Sequence, residues 1–175
     1  MLTMRPAGPA DEEPIAQMIR ARSVWLRERG MPGWDEAADA LAAQAAQPGF
    51  PVWVLIDADR VIGCTSLFEE SPAWFWTEQE RAEPAVFMAT TVTDPAHAGQ
   101  QIGCQVAWWV LDHAARTGKQ WVRRGTTESG LVRYYRDVQG WHVVREKTRD
   151  GFTVTGLARR AQLMPNLHIA REMRS

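Results

Sequence analysis

The stretch AVFMATTVTDPAHAGQQIGCQVAWWVLDHAARTG, residues 85 to 118, constrains the fold more than any other. Its first nine residues are apolar or β-branched and of strand length, and Asp94 and Pro95 end the run because proline has no N–H to give a sheet ladder. Farther on, Ile102, Val106, Trp109, Val110 and His113 recur at helical spacing, with Gln101, Gln105, Asp112 and Arg116 on the opposite face. Gly99 and Gly103 occupy the joint. A strand that enters a helix through such a turn aims unpaired backbone N–H groups of the first helical turn at one point, where an anion is held without any charged side chain. Gly99 lets the chain turn through a left-handed conformation, and Gly103 leaves room for a bulky ligand close to the backbone.

The surrounding sequence excludes two familiar users of such a turn. A phosphate loop of nucleotide hydrolases needs lysine and serine or threonine after the last glycine, and none follows Gly103. A dinucleotide fingerprint needs three glycines after an early strand of a parallel fold, whereas this turn follows the fourth strand of a largely antiparallel order. A net charge of -1 gives no overall field that favours nucleic acid or membrane. The short basic runs VRRGTT and ARR read as solvated edges. Cys64 and Cys104 are too few and too far apart for a disulfide framework or a metal cluster. No basic-then-apolar leader and no apolar run near ~18 residues appears, so the expected location is the cytoplasm, without a metal.

The remaining elements follow from pattern. LTMRPA is a short strand. ADEEPIAQMIRARSVWLRERG is a helix capped by Asp11, with Ile15, Met18, Ile19, Trp25 and Leu26 in a stripe edged by Arg22 and Arg29. A second, alanine-rich helix begins near Asp35. Residues 52 to 57 and 61 to 69 make a hairpin about an Asp-Ala-Asp turn, and SPAWFWTEQERAEP is a loop with an aromatic knot. QWVRRGTT is a strand, ESGLVRYYRDVQ a helix with Leu131, Tyr134, Tyr135 and Val138 on one apolar face, and residues 141 to 160 a hairpin turning at Arg149, Asp150 and Gly151. The tail from Ala161 has no clear pattern.

In this order the chain resembles the GNAT superfamily, acyltransferases that move an acetyl group from acetyl-CoA to an amine. The likeness runs from residue 2 to residue 160. It implies an α+β fold with a mixed, mostly antiparallel central sheet of about seven strands flanked by about four helices, as one domain over 1–160 with a tail over 161–175. The family's loop reads Arg or Gln, two residues, Gly, one residue, then Gly or Ala, and its amides hold the pyrophosphate of CoA. Ala98, Gly99, Gln100, Gln101, Ile102 and Gly103 stand in those places, followed by Cys104. Ala98 replaces the Arg or Gln, and Gln101 replaces the first Gly, which is tolerable if that position is already helical.

The resemblance also assigns roles. Tyr135 matches the tyrosine that protonates the departing thiolate, with Tyr134 as the alternative, and Trp141 matches the aromatic that follows. Glu128 stands where the family has Asn. Backbone N–H groups of Val92 and Thr93 are candidates for polarising the thioester carbonyl. The strand at 85–93 holds no carboxylate, so Glu69, Glu70 and Glu83 are candidate bases acting through water. Cys64 and Cys104 lack a histidine placed as in any nucleophile motif, which favours direct transfer in a ternary complex over a covalent intermediate. Acceptor contacts fall to Trp25, Trp34, Trp74 and Trp76, and with nearby carboxylates these suit a cationic or aromatic small amine. The competing expectation is a non-catalytic acyl-CoA sensor or scaffold. Exposed strands of the closing hairpin would permit a homodimer.

Overall fold

Valine, isoleucine and aromatic residues crowd both sides of a polar break at residues 57 to 59, and the chain pairs there as β2 (Val52–Asp57) and β3 (Arg60–Phe68), antiparallel, with Ala58 left-handed at φ 54°. The computed structural model describes residues 1–170. The other strands are β1 (Leu2–Pro6), β4 (Ala85–Thr93), β5 (Trp121–Thr126), β6 (His142–Arg149), β7 (Phe152–Arg160) and β8 (Ile169–Ala170). The helices are α1 (Glu12–Glu28), α2 (Asp35–Ala43), α3 (Glu78–Ala82), α4 (Ile102–Arg116) and α5 (Ser129–Asp137). The fold is α+β, with an eight-stranded mixed sheet in the order β6-β7-β5-β4-β3-β2-β1-β8. Among the described residues no helix is long and apolar enough to cross a membrane.

Among the described residues the sheet has one strand more than expected, and there is one helix more. β8 is two residues of the patternless tail, too short for alternation to reveal, and it pairs in parallel with β1. α3 lies within the aromatic loop. Its signal is a capping box: Thr77 accepts from the Glu80 N–H while the Glu80 carboxylate accepts from the Thr77 N–H.

Two compact units divide the chain. The first comprises Met1–Ser66, Thr90–Val106 and the chain from Asn166; the second comprises Leu67–Ala89 and Ala107–Pro165. In the first, Ile15, Met18 and Ile19 of α1 share a core with Ala38 and Ala42 of α2 and with Val52 and Val54 of β2. Each fully buried Ile or Val contributes about 1.5–3 kcal/mol, so the apolar stripe of α1 is what fixes that helix in place. Asp11 stands at the start of α1, yet its side chain does not cap the helix. Its carboxylate accepts instead from the Gly8 N–H at 2.8 Å and from Arg5 at 2.7 and 2.9 Å, which ties β1 to the helix start.

The polar face of α4 also departs from expectation. Gln105 and Asp112 are buried, at 4% and 1% exposure, because the tail lies along them. In the first unit Gln105 Oε1 accepts the His168 N–H at 2.9 Å; in the second Asp112 Oδ1 accepts the Met164 N–H at 2.9 Å. Buried amide and carboxylate are each matched by a backbone donor, and burial without such partners would cost about 1–3 kcal/mol apiece.

In the second unit the ring of Phe75 lies directly over Gly156 of β7, where any Cβ would collide with it. Gly156 pairs with Gly125 of β5. The parallel ladder between β4 and β5 holds Ala85–Phe87 against Trp121–Arg123 and goes no further, although β5 continues to pair with β7 as far as Thr126.

Candidate active site

The glycine turn belongs to the first unit. β4 ends at Thr93, and Asp94 then accepts the Ala96 N–H at 2.9 Å and the Arg60 guanidinium at 2.9 Å, fixing the way into the turn. Gly99 has φ 86°, the left-handed conformation that its lack of a Cβ permits. Gln101 also is left-handed, at φ 57°, so it is not helical as its tolerance seemed to require. Its carbonyl accepts the Gln105 N–H at 3.1 Å, which makes it the residue through which α4 begins. Ile102 and Gly103 follow in the first turn, and their N–H groups have no acceptor among the described residues. A Cβ added at Gly103 would meet nothing within 4 Å, so the space in front of that backbone is open. Ala98, Gly99, Gln100 and Gln101 are exposed. Ile102 and Cys104 are buried, at 6% and 1%, so any part they take is through the main chain.

Both cysteines are unbridged and buried. Burial pushes the Cys64 thiol up to about 12, which keeps it protonated and inert.

The end of β4 is held by α1. Val92 is buried, and Thr93 is gripped by Arg22, whose Nε donates to the Thr93 carbonyl at 3.0 Å and whose Nη2 donates to Thr93 Oγ1 at 2.7 Å. The Arg22 guanidinium lies 4.7 Å from the centre of the Trp25 ring, and that of Arg29 lies 3.7 Å from it. Trp34, more than a third exposed, donates its backbone N–H to the buried Ser23 hydroxyl at 2.7 Å.

In the second unit the basic pair of VRRGTT is not a solvated edge. Arg123 and Arg124 are 2% and 5% exposed, one on each face of β5. Arg124 donates to the Tyr135 hydroxyl at 3.0 Å, with its guanidinium 3.9 Å from the Tyr135 ring centre and 5.4 Å from that of Trp141. Burial pushes the Arg124 guanidinium below its ordinary range, and the tyrosine offsets part of that. Because the Tyr135 oxygen accepts from Arg124, its own O–H proton is left to be donated elsewhere. A fixed positive charge also stands beside the oxygen that becomes an anion when that proton leaves. α5 has no buried residue, so neither tyrosine belongs to a core; Tyr134 is 37% exposed and Tyr135 is half-buried.

On the other face Arg123 donates to Glu83 Oε1 at 2.9 Å and to the Glu80 carbonyl at 2.7 Å, and its guanidinium lies 5.3 Å from the centre of the Trp76 ring. Glu83 also accepts the Trp121 indole N–H at 3.0 Å. Glu80 takes both ends of Arg145, at 2.8 and 2.9 Å. These carboxylates are therefore ion-paired, which removes Glu83 as a ready base and leaves neither to attract an ammonium group. Glu69 is 86% exposed on its side chain and lies 3.9 Å from Lys119; Glu70 is exposed. Trp76 is buried at 3%, part of the aromatic packing with Phe75, and does not present a face to a ligand; Trp74 is 37% exposed.

The acetyltransferase (GNAT) family model matches residues 18–141. The chain belongs to this family. It is an acyltransferase, and the family's acyl donor is acetyl-CoA. The fold agrees: a GNAT acetyltransferase from Listeria monocytogenes superposes with a TM-score of 0.69 at 14% identity, covering 91% of this chain and 94% of that one. An acetyltransferase from Thermus thermophilus gives 0.63 at 16% identity, covering 91% and 97%. The yncA protein of Salmonella typhimurium, solved with its cofactor acetyl-CoA, gives 0.55 at 18%, covering 94% and 96%. No curated relative matches in sequence. Among the described residues no three histidine, cysteine or carboxylate side chains group as metal ligands. Two arginines emerge in this GNAT chain that sequence reasoning left without a role, Arg22 and Arg124. The clue to Arg124 was its place in a strand flanked by Trp121 and Val122, where a charge has to be buried on one face or the other.

Proposed function

We propose that the protein transfers an acetyl group from acetyl-CoA to the primary amine of a small molecule or peptide, by direct attack within a ternary complex. The observation that carries this is the turn at 99 to 103. Two left-handed residues lead into two unbonded amides, with open space where a glycine takes the place of a side chain. Those amides fit a diphosphate, whose charge the helix terminus favours by about 0.3–1 kcal/mol at an exposed site. Ala98 adds no side-chain hydrogen bond to it.

In the reaction the amine nitrogen forms a bond to the carbonyl carbon, the carbon–sulfur bond breaks, the nitrogen loses a proton and the thiolate gains one. Thr93 would polarise the carbonyl through its N–H group, since the Val92 N–H is taken by the Cys64 sulfur and the Asp94 N–H by the Ile62 carbonyl, and Tyr135 would give its proton to the departing thiolate. Water would relay the amine's proton outward, with exposed Glu69 and Glu70 as the remaining candidates to receive it, since Glu83 is bound to Arg123. Exposed Trp34 and Trp74, with half-buried Trp25, are the acceptor-side aromatics.

The sensor reading draws on Ala98 and the left-handed Gln101, where the family has other residues, and on the lack of a carboxylate in β4. Calorimetry with acetyl-CoA, together with a thiol-release assay over a panel of amines, separates the two. We expect saturable binding, free CoA with at least one amine, and at least about tenfold weaker binding in Gly103→Leu, equivalent to about 1.4 kcal/mol. Binding without CoA release from any amine supports the sensor; no heat of binding removes both.

A further inference from the structure

Arg22 is half-buried, and none of its bonds goes to a carboxylate. Nε and Nη2 are spent on the carbonyl and hydroxyl of Thr93, both neutral, while Nη1 has no acceptor among the described residues. Arg29 comes within 3.7 Å of the same Trp25 ring, its one hydrogen bond running to the Trp25 carbonyl at 3.0 Å. Two guanidinium groups thus converge on one indole, and no described carboxylate ion-pairs with either. Their neighbours do not remove the excess. Asp94 attracts Arg22 through space, but it bonds to Arg60 and to the Ala96 amide. Elsewhere in this unit the exposed arginines of α1 are matched, Arg20 with Asp39 and Arg27 with Asp35. Burial penalises the Arg22 cation, and the like charge of Arg29 adds to that. A bound anion would relieve both costs.

We propose that Arg22, assisted by Arg29, is a specificity-determining residue that binds a carboxylate carried by the acceptor, making the substrate an amino acid-like amine. This rests on the acyl-transfer reading, because it takes the end of β4 as the place of reaction. Arg22 holds Thr93, the residue assigned to polarise the carbonyl, so an anion on its remaining Nη1 sits beside the reacting group. The donor's own charges are accounted for separately by the amides at 99 to 103. A carboxylate-bearing acceptor reverses the preference for cationic amines that the glutamates suggested, since Glu80 and Glu83 are neutralised by arginine and Arg22 is not.

The experiment compares each of several amino acids with its amide and with the decarboxylated amine, for the wild type, Arg22→Gln, Arg22→Lys and Arg29→Gln. Thermal denaturation checks each fold, and exposed Arg29 guards against a variant that fails to fold. The wild type should prefer the carboxylate-bearing amine. Arg22→Gln should reduce that preference by about 10- to 100-fold, through KM more than kcat, as expected for a charge-assisted hydrogen bond. Arg22→Lys should restore part of it, and Arg29→Gln should cost about 3- to 5-fold. Acetyl-CoA affinity should stay within a factor of about two, since the anion at issue is not the donor's. An amide used as well as its amino acid, or a preference that survives in Arg22→Gln and Arg29→Gln, overturns the inference; so does a loss of acetyl-CoA affinity with the preference intact. If no amine is acetylated, the acyl-transfer reading fails by itself. Calorimetry with an N-acetyl amino acid and the corresponding N-acetyl amide then decides the anion site, which predicts binding of the first only and its loss in Arg22→Gln.

Discussion

The glycine turn of α4 and the arginine pair of β5 prepare for negative charge by opposite means. In the turn the donors are main-chain N–H groups of Ile102 and Gly103, fixed by the helix and without an acceptor among the described residues, and side chains matter mainly by keeping out of the way. In β5 the donors are the side chains of Arg123 and Arg124, buried on the two faces of a strand and each matched to particular partners. A backbone site costs little to build and discriminates little, since any phosphate-bearing ligand of the right shape meets the same amides. A buried guanidinium is expensive to desolvate and becomes useful only when its partners are in place. Binding of the donor therefore belongs naturally to the first arrangement, and control of a single proton to the second.

The strongest way to break that contrast is Tyr135→Phe. If Arg124 and Tyr135 form a proton-delivering pair, loss of the hydroxyl should lower kcat by about 10²- to 10⁴-fold, while acetyl-CoA binding by calorimetry stays unchanged. The same loss seen in Tyr134→Phe but absent from Tyr135→Phe would move the acid one residue along α5. A matching loss of affinity in Tyr135→Phe would mean that the side-chain site also binds the donor, and the division of labour would fail.

A smaller effect tests whether the charges around β5 are tightly paired. The Arg145 hydrogen bonds, with those from Thr77, hold the Glu80 carboxyl at about 2, well below the usual carboxylate range. Glu80 is ionised in the folded protein at a pH where the unfolded chain has already taken up a proton. Its contribution is therefore complete above the unfolded value near 4.5 and is lost as pH falls toward 2. Screening by solvent keeps this to about 0.5–1 kcal/mol. Chemical denaturation between pH 6 and pH 2.5 should show Arg145→Gln less stable by that amount at pH 6, with the difference shrinking toward acid. An equal difference at both ends would show that Arg145 acts through packing alone.

The two regions also differ in how they are written in the sequence. The turn announced itself because glycine and proline act locally: Asp94 and Pro95 stop a strand, Gly99 takes φ 86°, and the spacing to Gly103 survives into the structure. The strands of the closing hairpin were equally legible, since alternation and the Asp150–Gly151 turn are short-range signals, and both residues are left-handed. Arg123 and Arg124 were misread as surface because charge is usually solvated, and only the pairing of β5 with β7 shows them enclosed. Arg22 was hidden likewise: its partner Thr93 is 71 residues away in the chain. Gln105 and Asp112 looked solvent-facing because their cover, the tail at 164 to 168, has no periodic pattern of its own. Apart from α3, whose capping box is local, what escaped was long-range and polar; what was read was local or apolar.

Gln101 offers the finest test of the backbone site. A side chain in the left-handed region costs roughly 1–2 kcal/mol relative to the ordinary helix, while glycine there bears no such cost but loses more freedom on folding, by about 0.5–1 kcal/mol. Gln101→Gly should therefore leave a net gain of about 0.5 kcal/mol in denaturant titrations, seen as a higher midpoint at unchanged slope. If the strain helps to aim the amides of Ile102 and Gly103, that gain will come with weaker acetyl-CoA binding, as the turn relaxes. If the amides are aimed by α4 alone, affinity will hold or improve, because nothing but a side chain has been removed from the mouth of the helix. The second result is the one expected of a site built from main chain, and the first would show that in this turn, too, a side chain takes part.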